Sequence, residues 1–154
     1  LHLLVLAFAC GPTPDRPCPT VDTAELDSPS AHNLSLTACS AIPEGPAATE
    51  ADLTASVAST TLHLELSGVL FRDDNEVCAF AERQDDDIRV LLQPCVLAPE
   101  DGVSKGDCWY ETLSLDVTDV ELVDAQTVTV LHRVDNPPEF PPYPPKVLAT
   151  ATLD

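Results

Sequence analysis

Thr61-Leu-His-Leu-Glu-Leu66 is the stretch that decides the fold, because every second residue in it is a leucine. Successive side chains on a β-strand point to opposite faces, so the leucines share one face and His63 lies on the other. This alternation is typical of a strand with one face in the core and one in water. The stretch therefore predicts a half-buried strand on which His63 faces solvent.

The same period of two recurs through the second part of the chain, in Leu53–Val57, Ile88–Gln93, Trp109–Val117, Val128–Val134 and Val147–Leu153. No long window carries the apolar stripe of an amphipathic helix. Six or seven short strands separated by turn residues predict an all-β antiparallel sandwich over residues 51–154. Trp109 is expected to be the largest contributor to its core. His132 continues the apolar face of its segment and is predicted to be a hydrogen-bonded core histidine.

One hairpin is predicted in more detail, with its tip in Asp85-Asp86-Asp87, because aspartate tolerates left-handed turn geometry. If Asp86 and Asp87 form the tip, paired residue numbers sum to 173, and 78 + 95 = 173 places Cys78 opposite Cys95. Directly opposed strand residues come within disulfide range. We therefore expect a Cys78–Cys95 bridge first, with Cys95–Cys108 and Cys78–Cys108 as open alternatives.

Six cysteines in 154 residues indicate an oxidising compartment, in which disulfides persist. They are Cys10, Cys18, Cys39, Cys78, Cys95 and Cys108. No pair has Cys-x-x-Cys spacing, which argues against a zinc knuckle or a thioredoxin-like site. If Cys10 carries lipid, the other five leave one thiol outside any intrachain bridge, and Cys18 and Cys39 join the disulfide candidates.

The charge of the chain excludes one class of partner. It carries 26 acidic and 7 basic residues, a net charge of -19, and its lysines and arginines form no cluster. Nucleic acid binding requires clustered cationic side chains against phosphate. We therefore expect no nucleic acid partner, and we interpret the acidic residues as a well-solvated surface.

The N-terminal part of the chain predicts where in the cell the protein is located. Leu1–Ala9 is apolar and ends in a small residue before Cys10-Gly11, so we expect residues 1–9 to be a signal-peptide remnant whose basic part lies upstream. The run is too short to span a bilayer, which takes about 20 apolar residues. The alternative is a buried strand with Cys10 in a disulfide. Residues 10–50 are rich in Pro, Thr and Asp and predict a disordered, lipid-anchored spacer.

These features together resemble a family. Ala9-Cys10-Gly11, the alternating Leu62–Leu66, Cys78, and Cys108-Trp-Tyr running into Leu113–Val117 make the chain similar to the acidic outer-membrane lipoproteins of Gram-negative bacteria. The resemblance implies one immunoglobulin-like domain behind a flexible spacer and a lipid on Cys10. Gly11 after the cysteine implies the outer membrane, with the domain facing the periplasm or the exterior. The resemblance implies location and fold, and it implies no chemistry.

Residues that could carry chemistry form no recognisable catalytic or metal-binding pattern. The chain lacks a Gly-x-Ser-x-Gly elbow, and its histidines are too scattered for a zinc site. The acidic clusters Asp73–Glu76 and Asp85–Asp87 match no calcium loop and are interpreted as solvated turns. We therefore predict no catalytic, cofactor-binding or metal-ligating residue.

A polyproline segment offers a candidate contact surface. Asn136–Pro145 contains six prolines, which enforce an extended polyproline II conformation. We interpret it first as a stiff connection between the last two strands. If it projects, Phe140 and Tyr143 form a contact loop.

The sequence therefore predicts a non-enzymatic cell-envelope lipoprotein with a binding or structural role. Its expected partners are a membrane, through the lipid on Cys10, and an unknown protein or glycan. The first alternative is a periplasmic or secreted hydrolase that uses a pair of carboxylates. The second is a calcium-stabilised adhesion module.

Overall fold

The computed structural model describes residues 23–36, 39–40, 51–72, 75–96, 107–133 and 144–153. Within these ranges the regular structure is entirely β, and no helix that could cross a membrane is present among them. The strands are β1 Ser30–His32, β2 Leu34–Leu36, β3 Cys39–Ser40, β4 Asp52–Ala58, β5 Thr61–Arg72, β6 Asn75–Gln84, β7 Asp87–Val96, β8 Asp107–Val117, β9 Thr127–His132 and β10 Lys146–Thr152.

These strands form two sheets that pack face to face. Sheet A has five strands in the order β1-β6-β7-β9-β10. Sheet B has the order β2-β8-β5-β4, and β3 also pairs with β8. Neighbouring strands run antiparallel, except that β9 runs parallel to β7 because β8 crosses to sheet B between them. The predicted all-β antiparallel sandwich is confirmed, with more strands than the six or seven expected.

The core lies between the sheets and is built from the alternating residues that the sequence indicated. In sheet B the leucines of β5 oppose apolar residues of β8 in three register pairs. The pairs are Leu62 with Val117, Leu64 with Leu115, and Leu66 with Leu113, all at most 4% exposed. Sheet A covers them with Ile88, Val90, Leu92, Val128 and Val130, which are equally buried. Burying each such side chain contributes about 1.5–3 kcal/mol, so these alternating faces hold the sheets together.

Strand β7 is buried on both faces, which the alternating pattern did not predict. Leu91 lies on the outer face of sheet A, where it packs with Leu131, the half-buried Phe80 and Leu26. Leu26 belongs to residues 23–29, a segment that lies across this face and that we call the strap. Because the strap covers the outer face, Leu91 is as well buried as the residues of the main core.

Polar contacts hold the strap in place. The backbone N–H of Ser28 donates to the carboxylate of Glu82 at 2.9 Å. Arg89 donates to the backbone carbonyl of Glu25 at 3.3 Å, and the guanidinium of Arg133 lies 3.8 Å from the Glu25 carboxylate. Both Glu82 and Arg133 are buried. The buried arginine and glutamate therefore serve the attachment of the strap to sheet A.

The segment Ser30–Leu36 changes sheets at Asn33. Its first half, β1, pairs with β6 at the edge of sheet A, and its second half, β2, pairs with β8 at the edge of sheet B. The predicted spacer over residues 10–50 is therefore wrong for Ser30–Leu36 and for Cys39–Ser40. A short strand that joins an existing sheet edge gains backbone hydrogen bonds there. The amino-acid composition of the segment does not predict this gain. Residues 10–22, 37–38 and 41–50 lie outside the described ranges.

The β6–β7 hairpin differs from the prediction by its register. Gln84 pairs with Asp87, so Asp85 and Asp86 form the turn, and Asp85 adopts a φ of 54° in the left-handed region. This register places Cys78 opposite Gln93, and Cys95 opposite Glu76. The expectation that Cys78 directly opposes Cys95 is therefore wrong. Aspartate tolerates left-handed geometry at Asp85 as well as at Asp86, so a run of three aspartates did not fix the tip.

The acidic hairpin anchors the parallel strand β9. The carboxylate of Asp87 accepts hydrogen bonds from the hydroxyls of Thr127 at 2.8 Å and Thr129 at 3.2 Å. The backbone carbonyl of Asp86 accepts the N–H groups of Gln126 at 2.8 Å and Thr127 at 3.3 Å. This turn was interpreted as solvated, yet the half-buried Asp87 holds the start of β9 against β7.

His132 ends β9 opposite Lys146 and is half-buried, as a histidine at the rim of the core. Burial lowers its pKa from the ordinary 6.5 to about 4, and the nearby Lys146 cation acts in the same direction. His132 is therefore neutral at pH 7 in the folded protein.

We expect Asp87→Ala to destabilise the protein by about 1–3 kcal/mol, because two threonine hydroxyls lose a charged acceptor. Asp86→Ala is the matched control, since it removes an exposed carboxylate and keeps the backbone carbonyl that holds β9. The control should change stability by less than about 0.5 kcal/mol. Urea unfolding midpoints measure both, and equal losses in the two variants would contradict the anchoring role of Asp87.

We expect stability to depend on pH through His132. Its folded pKa lies below the unfolded value, so the unfolded chain binds the proton first as the pH falls from 6.5 to 4. The wild type should therefore lose up to roughly 3 kcal/mol more across this window than His132→Gln does. Urea unfolding of both proteins at pH 7, 5.5 and 4.5 measures the difference. His32 is present in both, so its contribution cancels. Parallel pH profiles would refute this effect.

Candidate functional site

The outer face of sheet B is polar. The alternation that buries the leucines of β5 exposes the residues between them, and the register sets these in rows across the strands. One row contains Ser56, His63 and Asp116. The next contains Thr54, Glu65, Ser114 and Ser35. This face therefore presents hydroxyl, carboxylate and imidazole groups to solvent.

A cleft of about 340 Å³ opens where this polar face meets the sheet change at Asn33. We call it the switch cleft. It is formed by β1, β2, the end of β8 and the residues that follow β8, and its lining consists of Ala31, His32, Asn33, Ser35, Ser114, Leu115, Asp116, Thr118 and Asp119. Of these only His32 and Leu115 are buried. The cleft therefore has a small buried floor and a polar, exposed rim.

His32 reaches the cleft from inside the sandwich. Its backbone pairs with Ala79 on β6, which directs its side chain between the sheets, and only 6% of the residue is exposed. One ring nitrogen is hydrogen-bonded to the backbone of Asp116 on β8, so the imidazole links sheet A to sheet B. The other nitrogen, Nε2, is buried and has no hydrogen-bond partner among the residues that the structure describes.

The surroundings of His32 determine its protonation. Burial lowers its pKa from the ordinary 6.5, although the Asp119 carboxylate and the hydrogen bond to the Asp116 backbone act in the opposite direction. A hydrogen bond that raises this pKa favours the protonated ring. The imidazole is therefore neutral at pH 7, and its Nε2 is enclosed by the protein.

Two acidic residues line the cleft together with His32. Asp116 contacts His63 on the neighbouring strand, with 2.5 Å between the carboxylate oxygen and Nδ1 of the imidazole, and the Asp116 side chain remains 68% exposed. Asp119 lies in the exposed segment after β8 and acts electrostatically on His32. His63 faces solvent, as predicted, and an exposed pair of this kind contributes at most about 1 kcal/mol to stability.

The cleft residues do not form a metal site. Within the described part of the chain, no three His, Cys, Asp or Glu residues converge closely enough to hold an ion. His32, Asp116 and Asp119 therefore line the cleft at separate points. These residues provide hydrogen-bonding groups that are spread over a surface too wide for one ion to contact them all.

The structure places some of the cysteines that the sequence singled out. Cys78 is buried in β6. Cys95 lies in β7, Cys39 opposes Tyr110 on β8, and Cys108 opposes Phe71 on β5. Cys39 and Cys108 therefore lie two register positions apart in sheet B, whereas Cys78 and Cys95 lie in sheet A.

Several predicted positions lie outside the described residues. These are Cys10 and Cys18, the proposed contact-loop residues Phe140 and Tyr143, and Asp73 and Asp74 of the first acidic cluster. The side chain of Trp109 also lies outside the description, although its backbone belongs to β8. The disulfide pairing, the lipid on Cys10 and the contact loop stay predictions.

Sequence reasoning missed the central residue of the cleft. His32 lay in the predicted spacer, and Asp116 and Asp119 were treated as part of a solvated surface. One signal was present, because His32, Leu34 and Leu36 alternate with small or polar residues as a strand would. Nothing in the sequence places that short strand beside the end of β8.

Comparison with known proteins adds no relative to these observations: no family model, no curated protein and no solved structure matches the chain. Function is therefore inferred from the geometry of the switch cleft and from the N-terminal sequence.

Proposed function

We propose that this chain is a non-catalytic binding domain of the bacterial cell envelope, held at the outer membrane by a lipid on Cys10. Its ligand site is the switch cleft. The observation that carries the binding role is the cleft itself, a concave surface of about 340 Å³ where the two sheets meet, with exposed Ser35, Asp116 and Asp119 on its rim.

The size and the lining of the cleft support a ligand. Its volume of about 340 Å³ lies within the range of small-molecule sites. The exposed serine, threonine and aspartate side chains on its rim can form hydrogen bonds with a polar ligand.

The location rests on the N-terminal sequence. An apolar run leading into Ala9-Cys10-Gly11, six cysteines and a net charge of -19 fit a protein outside the cytoplasm. A lipid chain on Cys10 would contribute about 0.8 kcal/mol of membrane affinity per buried methylene, and several chains give a stable anchor. The binding domain then works at the membrane surface.

A hydrolase that uses carboxylates is the second candidate, and one observation favours it. Asp116 and Asp119 line the same cleft as His32, and a pair of carboxylates beside a histidine offers acid and base groups for hydrolysis. In this alternative one carboxylate protonates a leaving oxygen and the other group activates water. We rank binding first because the carboxylate of Asp116 is largely exposed to solvent and already contacts His63.

We expect the protein expressed from its full gene in a Gram-negative host to partition into the detergent phase of Triton X-114. Intact mass should show loss of residues 1–9 and the addition of acyl chains at Cys10. Cys10→Ser should appear in the aqueous phase, because it cannot accept the lipid. A wild-type product that keeps residues 1–9 and carries no lipid would overturn the proposed location.

We expect a polar ligand to perturb the switch cleft in a two-dimensional NMR titration of the 154-residue chain. The panel contains spermidine, maltotriose and calcium, each added alone. Chemical-shift changes centred on Asn33, Ser35 and Thr118 with spermidine or maltotriose support a binding domain. If none of the three perturbs these amides, or if calcium alone does, the proposed site is wrong.

The same samples test the hydrolase. Chromogenic glycosides and p-nitrophenyl acetate are incubated with the wild type and with Asp119→Asn. Turnover above the buffer rate that falls in the variant would replace binding by catalysis as the function of the cleft. Rates equal to those of the buffer leave binding as the proposal.

A further inference from the structure

Strand β10 forms the edge of sheet A that lies opposite β1. It pairs with β9 on one side, and no strand in the described part of the chain pairs with its other side. The backbone N–H and C=O groups along such an edge can pair with a strand of another chain. The free edge of β10 is therefore a candidate interaction surface.

The register of β10 shows which backbone groups it leaves free. The N–H of Leu153 donates to the carbonyl of Gln126 at 2.8 Å, so Leu153 directs its backbone groups toward β9. Backbone groups alternate in direction along an antiparallel strand, and the register from Ala149 to Thr152 is regular. Thr150 and Thr152 therefore direct their N–H and C=O groups away from β9, and both residues are exposed.

The sequence of β10 carries few of the features that prevent strand pairing. Charged residues make up 21% of the chain, yet Val147–Leu153 contains no charged residue and no proline. Natural proteins protect exposed edges with charges, prolines and bulges. One bulge lies between Val147 and Ala149, and the four residues that follow it remain regular. This short edge is therefore competent to pair.

Charges of opposite sign lie at the two ends of β10. Lys146 is exposed at its start, opposite His132, which is neutral at pH 7. Asp86 and Asp124 are exposed at its other end. The carbonyl of Asp86 accepts the N–H of Gln126, and Asp124 precedes Gln126 by two residues. The strand thus runs from a cationic end to an acidic end.

We propose that two copies of this chain pair through β10 in antiparallel orientation, which joins the two five-stranded A sheets into one continuous sheet. Antiparallel pairing places Lys146 of each copy beside the acidic end of the other, whereas parallel pairing would bring like charges together. It also covers part of Val147, which is 61% exposed, with the end of the partner's strand.

A second copy fits this edge better than an unrelated strand, because β10 supplies its own complement of charge. Two chains that each carry a charge of -19 repel one another over most of their surface. The uncharged edge with Lys146 at its start is where this repulsion is smallest. Edge strand β4 of sheet B offers no such match, since Asp52 is the one charged residue within Asp52–Ala58.

This inference does not depend on the switch cleft. The cleft lies at the β1 and β2 edge of the sandwich, and β10 lies at the opposite edge of sheet A, so the pairing leaves the cleft open. A lipid on Cys10, as proposed above, would favour the dimer further, because anchoring to one membrane raises the effective concentration of the copies.

The test is the oligomeric state of the 154-residue chain at pH 7.5. Sedimentation equilibrium from about 5 to 500 μM should show a reversible monomer–dimer equilibrium. A non-reducing gel excludes dimers that are linked by disulfides. Two-dimensional NMR spectra over the same dilution series should show shifts at the amides of Thr150 and Thr152, and no shift at Thr54 in β4.

Substitutions locate the interface. Thr150→Pro removes an N–H that does not pair with β9, so the fold should persist while dimerisation weakens at least about tenfold. Lys146→Gln should weaken dimerisation roughly two- to fivefold by removing the cation. Thr54→Glu is its matched control, because it changes the net charge by the same amount on an exposed residue of β4, and its effect should stay below about 1.5-fold. If Thr150→Pro does not fold, Lys146→Gln decides.

Three results would overturn the inference. The first is a chain that stays monomeric over the whole concentration range. The second is a dimer that folded Thr150→Pro does not weaken, or that Lys146→Gln and Thr54→Glu weaken equally, because the contact then lies elsewhere. The third is an assembly larger than a dimer, since pairing of β10 about a twofold axis uses up the edge and closes on itself.

Discussion

The structure depends on the backbone hydrogen bonds at one edge of the sandwich. Two sheets packed face to face each leave an edge strand with unpaired N–H and C=O groups, and such edges invite aggregation. Here one short segment, Ser30–Leu36, joins sheet A with its first half and sheet B with its second half. The sheets are thereby linked through the backbone at this edge as well as through the apolar core. The crossing point at Asn33 then becomes the place where residues of both sheets meet.

The switch cleft follows from this crossing. Because β1 ends in sheet A and β2 begins in sheet B, His32 enters the space between the sheets near the end of β8. The buried Nε2 of its ring has no hydrogen-bond partner among the residues that the structure describes. The segment that closes the fold at this edge therefore also forms the concave surface of the switch cleft.

The distribution of charge supports the same division of roles. The chain has few cationic residues, and two arginines with described side chains hold the strap over the outer face of sheet A. The Asp87 carboxylate is used in a similar way, because it holds β9 through two threonine hydroxyls. Charged groups in sheet A thus serve the fold. At the switch cleft Asp116 contacts His63, and no lysine or arginine is among the lining residues.

The sequence by itself determined the class of fold and most of its core, since alternation such as Leu62–Leu66 shows directly which side chains share a face. It did not determine the register of the β6–β7 hairpin, because three consecutive aspartates can each occupy the turn. It also failed for the strap and for β1 and β2, whose stability comes from the sheets that they join and not from their own composition. The tertiary structure alone decided the candidate site. His32 lies more than 80 residues before Asp116 and Asp119 in the sequence. Only the pairing of strands in two sheets brings these three residues to one cleft.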